Sequence, residues 1–209
     1  MKIKESWAYV GGLSRPSKLS CYGYGLSAYK CHIGAILAKI AGSVCSLCYA
    51  KKGNYVFKNV REAHARRLES LKKAKWVENM THLIGAKAKN NLFRWHDSGD
   101  IQSLQHLRMI CLVAENLPHV RFWLPTKEYG ILGEYVTLYG AFPDNLTVRL
   151  SATKIEGEPP TAYAESIGAV TSGVSRENYN CLAYDNGGKC GPCVKCWDKN
   201  EKHIIYKKQ

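Results

Sequence analysis

The chain has 209 residues, 30 of them basic and 17 acidic, for a formal charge of +13 with His neutral. An apolar share of 45% with 22% charged residues excludes a disordered or low-complexity chain, and the length suits one domain. No apolar stretch reaches the roughly 18–20 residues that span a bilayer, which predicts no membrane partner.

The opening MKIKESWAYVGG has two lysines and no apolar core behind them, so it is not read as a secretory signal and a cytoplasmic protein is expected. The excess charge is local. Residues 1–90 hold 17 Lys or Arg against 4 Asp or Glu, whereas residues 91–209 hold 13 of each. Residues 57–75 (FKNVREAHARRLESLKKAK) place Val60, His64, Leu68 and Leu71 at helical spacing, which predicts an amphipathic helix. Around it, Lys51, Lys52, Lys58, Arg61, Arg66, Arg67, Lys72, Lys73 and Lys75 face only Glu62 and Glu69, a concentration suited to nucleic acid or to a solvated helix face.

A second helix carries Val77, Met80, Ile84 and Ala88 on one side. LFRWH (92–96) then reads as a strand, the polar loop Asp97-Ser98-Gly99-Asp100 follows, and Ile101, Leu104, Leu107, Cys111 and Ala114 mark a helix ending before Pro118. HVRFWLPT (119–126) and LTVRLSA (146–152) are strand-like, with a helix between them at 128–139. A short helix at 161–166 precedes a last strand-like run, IGAVTSGVS (167–175). Strands alternating with helices predict parallel pairing in an α/β fold. One rim of that sheet is expected to collect His96, Asp97, Asp100, Lys127 and Ser151, with Thr126, Arg149, Thr171 and Ser172 beside them, where α/β proteins place their chemistry.

Nine cysteines without a signal peptide favour metal ligation over disulfides. Cys31, Cys45 and Cys48 form one group, suited to an iron–sulfur cluster with one open iron or to zinc completed by His32, His64 or water. Cys181, Cys190, Cys193 and Cys196 form a second, in CLAYDNGGKCGPCVKCW, whose glycines and proline allow tight turns. Cys111 reads as a buried hydrophobe, and Cys21 has no ligand spacing.

The stretches Ser17-Lys18, Cys31, GSVCSLCYAKKGNYVF (42–57), FRWHDSGD (93–100), HLRMI (106–110), PHVRFWLPTKEYGI (118–131), PDNLTVRLSA (143–152) and Cys181 with CGPCVKCWD (190–198) resemble, in that order, the phage protein family called gene product 88. A wider likeness is to radical S-adenosylmethionine (radical SAM) enzymes, which carry a CYA signature after their cluster cysteines. Their usual CxxxCxxC becomes Cys31-x13-Cys45-x2-Cys48 here.

That likeness implies a partial (β/α) barrel over 1–180 with a Cys-rich C-terminal, cluster-binding extension over 181–209. It also implies 4Fe-4S clusters on both cysteine groups and S-adenosylmethionine on the open iron, its amino group received by Asp97, Ser98, Gly99 and Asp100. An electron donor would reduce the cluster, and the radical would act on nucleic acid or a nucleotide-like substrate, with His96 moving a proton and Lys127 pairing a carboxylate or phosphate. Two alternatives stand beside it: a zinc-stabilised nucleic-acid-binding protein, and a non-catalytic iron–sulfur protein for electron transfer or redox sensing.

Overall fold

The computed structural model describes residues 1–208. In chain order the elements are α1 (Ile3–Val10), β1 (Tyr22–Tyr24), α2 (Ile33–Leu37), α3 (Lys58–Ser70), α4 (Trp76–Lys87), β2 (Leu92–Trp95), α5 (Leu104–Glu115), β3 (Arg121–Thr126), α6 (Tyr129–Tyr139), β4 (Leu146–Ser151), α7 (Thr161–Ser166), β5 (Val170–Ser175) and β6 (His203–Lys207). The strands form one all-parallel sheet in the order β1-β2-β3-β4-β5-β6. Parallel neighbours need long crossovers, and α5, α6 and α7 supply three of them. The last crossover, from β5 to β6, is the Cys-rich stretch, whose one regular piece is a 3₁₀ turn at Lys195–Trp197.

Alternation along the strands sorts two faces. Phe93 and Trp95 of β2, Phe122 and Leu124 of β3, and Val148 and Leu150 of β4 pack with Trp76, Met80, Leu83 and Ile84 of α4 and Leu107, Ile110 and Cys111 of α5. Each such large side chain stabilises the fold by about 1.5–3 kcal/mol on burial. On the other face Leu92 and Trp123 meet Leu19, Cys21 and Trp197. The Cys-rich stretch therefore lies on the sheet and returns into it as β6, rather than hanging from it as a separate appendage.

The helix expected over 57–75 stops at Ser70. Leu71, Lys72 and Lys73 donate to carbonyls three residues back, tightening the chain so that Trp76 turns into the core. The rim is also narrower than expected. Thr171 and Ser172 lie inside β5, which runs to Ser175, and Arg149 lies inside β4. No helix among the described residues is long and apolar enough to cross a membrane.

Candidate functional site at the sheet rim

Beyond β2 the chain enters the HDSGD loop. His96 adopts φ 53 and Gly99 φ 78, a tight reversal held by His96 N–H to the Tyr24 carbonyl (2.9 Å) and Leu26 N–H to the Ser98 carbonyl (2.7 Å). Asp97 Oδ1 accepts from Ser14 Oγ at 2.7 Å. Its backbone carbonyl accepts from the Tyr49 and Tyr55 hydroxyls at 2.7 and 3.3 Å. Asp100 is enclosed: Oδ1 accepts from Thr126 Oγ1 (2.6 Å) and the Ile101 amide (2.8 Å), and Oδ2 from the Lys127 amide (2.9 Å). Burial nevertheless outweighs these bonds and pushes the Asp100 carboxyl up to about 6. The two carboxylates expected to receive a cofactor are thus engaged in joining the loop to β3 and to the segment before β1.

His96 directly follows β2, and its side chain is buried. Both ring nitrogens are enclosed without a partner, its ring meets His106 edge-on at 5.4 Å, and burial drives its pKa well below the usual range. Ser151 does lie at the end of β4, where its hydroxyl accepts from Ser172 Oγ at 3.3 Å and its carbonyl from the Tyr129 hydroxyl. Lys127 is half-buried close enough to Cys45 to favour its thiolate, although burial raises that thiol overall. Glu128, absent from the expected set, ties the rim to α2 by accepting from the Ile33 amide at 3.1 Å. A Glu directly after Thr126-Lys127 was its only signal.

The metal assignments require correction. Among the described residues no group of three or more His, Cys, Asp or Glu side chains is placed to hold a metal ion, so neither an iron–sulfur nor a zinc centre is assembled from Cys31, Cys45 and Cys48 or from Cys181, Cys190, Cys193 and Cys196. All nine cysteines are free thiols. Cys31 and Cys45 do flank Gly34, where a Cβ would stand 3.5 and 3.7 Å from their sulfurs. Burial, with Asp100 adding to it, pushes the Cys31 thiol up to about 12. In the second group Cys196 is held up to about 11 by burial, whereas Cys193 is exposed.

Of the basic set, Lys52, Lys58, Arg61, Arg66, Lys72, Lys73 and Lys75 are exposed and Lys51 is half-buried. Arg67 is the exception: it points inward, donating to the carbonyls of Gly12 (3.0 Å) and Gly25 (3.2 Å) beneath the Tyr24 ring. Lys58 pairs with Glu62 at 3.9 Å and Lys72 with Glu69 at 2.9 Å. Exposed aromatic rings lie among these cations. Tyr29 is 59% exposed, Tyr49 49% and Phe57 57%, and the Lys51 ammonium sits 5.5 Å above the Tyr29 ring. Tyr49 buries its hydroxyl against Asp97 and leaves its ring open, so that ring adjoins the rim.

Residues 2–199 match the sequence model of a family described as Gene product 88. That match lends no support to the resemblance to radical SAM enzymes. No curated protein and no solved structure matches the chain.

Proposed function

The chain belongs to the gene product 88 family, and for this member we propose that it binds single-stranded nucleic acid across residues 28–75, delivering the strand to the rim beside Asp97. The observation that carries the reading is the exposure of the Tyr29, Tyr49 and Phe57 rings among Lys30, Lys51, Lys52 and Lys58. Bare rings beside cations suit unstacked bases with an intervening phosphate backbone, because every base offers a face to stack on. A duplex hides its bases and would leave these rings wet. In this reading the sheet is an open partial barrel, supported by its sequential strand order and by the lack of β1–β6 pairing among the described residues. The whole chain is one domain, and the protein works in the cytoplasm, in the host's if it is phage-encoded.

Fluorescence anisotropy with labelled single-stranded DNA and RNA, and with duplex competitors, tests this. Single strands are expected to bind with strong salt dependence. Tyr29→Ala with Phe57→Ala should weaken binding about tenfold or more, since stacking contributes roughly 1–3 kcal/mol per base. Arg61→Glu with Arg66→Glu should weaken it and flatten the salt slope. Equal affinity for duplex and strand, or binding indifferent to both pairs of substitutions, would overturn the reading.

A further inference from the structure

The sheet face opposite the main core carries a second concentration of positive charge that the strand-binding surface does not use. Arg94 of β2 is in register with Trp123 of β3, and its guanidinium carbon lies 4.3 Å above the Trp123 ring. Arg149 of β4, in register with Pro125, shares that face and is fully buried. Its terminal nitrogens donate to the carbonyls of Thr171 (2.8 Å), Glu201 (2.9 Å), Asp198 (3.2 Å) and Lys195 (3.4 Å), which pins the Cys-rich stretch to the sheet.

Three donors on this face lack an acceptor: Arg94 Nε, Trp123 Nε1 and Arg149 Nε are enclosed and unbonded. Neither guanidinium has a salt-bridge partner among the described residues. The groups facing Arg94 are the phenols of Tyr49, Tyr55 and Tyr206, the thiols of Cys21, Cys190 and Cys196, and Asp97, whose Oδ1 already accepts from Ser14. Burial raises the Cys21 thiol to about 12 and the Tyr206 phenol well above its usual value, so these neighbours are neutral at pH 7. Asp97 lies near Arg94, and Glu201 and Asp198 lie near Arg149, whose terminal nitrogens are filled by carbonyls, so what remains open on this face is three N–H groups without an acceptor. Enclosed donors without an acceptor cost free energy, and an oxyanion held between two guanidinium groups removes that cost.

We propose that this face is a phosphate-binding site, with Arg94 Nε and the Trp123 indole N–H as its donors and Arg149 as a second source of positive charge. A phosphomonoester fits better than a carboxylate, because its charge of about −1.5 to −2 near pH 7 and its three acceptor oxygens match two guanidinium groups and several donors. Arg94 and Tyr206 are only half-buried, which leaves the site a route to solvent. The phosphate belongs either to a mononucleotide or free phosphate, or to the phosphorylated end of a strand.

Thermal unfolding and tryptophan fluorescence of the full chain, titrated with inorganic phosphate against chloride at matched ionic strength, provide the test. Phosphate is expected to raise Tm saturably and to change Trp123 emission. Arg94→Gln should weaken the apparent affinity at least tenfold, and Trp123→Phe, which keeps the packing and removes the N–H, should weaken it less. Arg121→Gln, which deletes an exposed arginine at the other end of β3, should respond as wild type. Should Arg94→Gln fail to fold, Trp123→Phe still decides. Response to a nucleoside 5′-monophosphate at the same concentrations as phosphate assigns a small-molecule ligand, and preference for a 5′-phosphorylated over a 5′-hydroxyl oligonucleotide assigns a strand end; either supports the site. No saturable effect beyond chloride, or equal responses from wild type and both site variants, would overturn it. Arg61→Glu with Arg66→Glu separates the two proposals, since it should weaken strand binding while the phosphate response persists.

Discussion

At the scale of single residues, the rim depends on backbone conformations that few side chains tolerate. Gly99 has φ 78, and a Cβ there would stand 2.7 Å from Leu26 Cβ and 2.9 Å from the Leu26 carbonyl carbon. Gly42 has nearly the same φ, 77, with nothing within 4 Å. The pair separates conformational strain from collision. Left-handed backbone costs a residue with a Cβ about 1–2 kcal/mol, which Gly42→Ala should show alone. Gly99→Ala must also displace backbone at the β1 end, adding about 1–3 kcal/mol. Urea denaturation of the two variants measures the difference, and equal losses would mean that the loop yields freely around Gly99.

At the scale of elements, the piece that holds the Cys-rich stretch in place is one 3₁₀ turn. Trp197 packs against Trp123 at 5.2 Å, donates its indole N–H to the Phe93 carbonyl at 2.8 Å, and offers its own carbonyl to Thr147 Oγ1 at 2.9 Å. Trp197→Ala is expected to cost about 3–5 kcal/mol, as for other large core aromatics, and to open residues 181–200 to proteolysis. A loss under about 1 kcal/mol with unchanged cleavage would mean that Arg149 alone anchors the stretch. Strands β2 to β5 were legible in the sequence because Leu, Val, Phe and Trp recur between turn residues at each. β1 was not, since Tyr-Gly-Tyr among further glycines carries no strand pattern, and β6 was hidden behind the cysteine spacing. That spacing misled for a physical reason: CxxC reports a local turn, but not whether three or more ligand side chains converge. Arg94 carried a signal of its own, since a lone arginine inside an apolar strand has to face something that accepts its hydrogen bonds.

At the scale of the whole molecule, the buried imidazoles make stability depend on pH. His106 is held down to about 3 by burial, His96 lies well below 6.5, and His64 and His203 are also lowered. Below pH 6.5 the unfolded chain protonates imidazoles that the fold keeps neutral, so the unfolded state binds more protons and stability falls with pH. Asp100 acts in the opposite sense. Its carboxyl, raised from 3.8 to about 6, binds a proton in the fold before it does in the unfolded chain, which favours the fold as pH drops from 6 towards 4. Each group contributes about 1.4 kcal/mol per pH unit within its window, so His96 and His106 together outweigh Asp100. Unfolding free energy is expected to fall between pH 6.5 and 4.5. His106→Gln should lower stability at neutral pH, because it empties part of a packed site, yet flatten the slope by about one proton. Urea titrations at half-unit pH steps read both quantities. A slope that His106→Gln leaves unchanged would mean that the buried histidine ring takes up its proton in the folded protein, and that the enclosure around His96 and His106 opens to water well above pH 4.5.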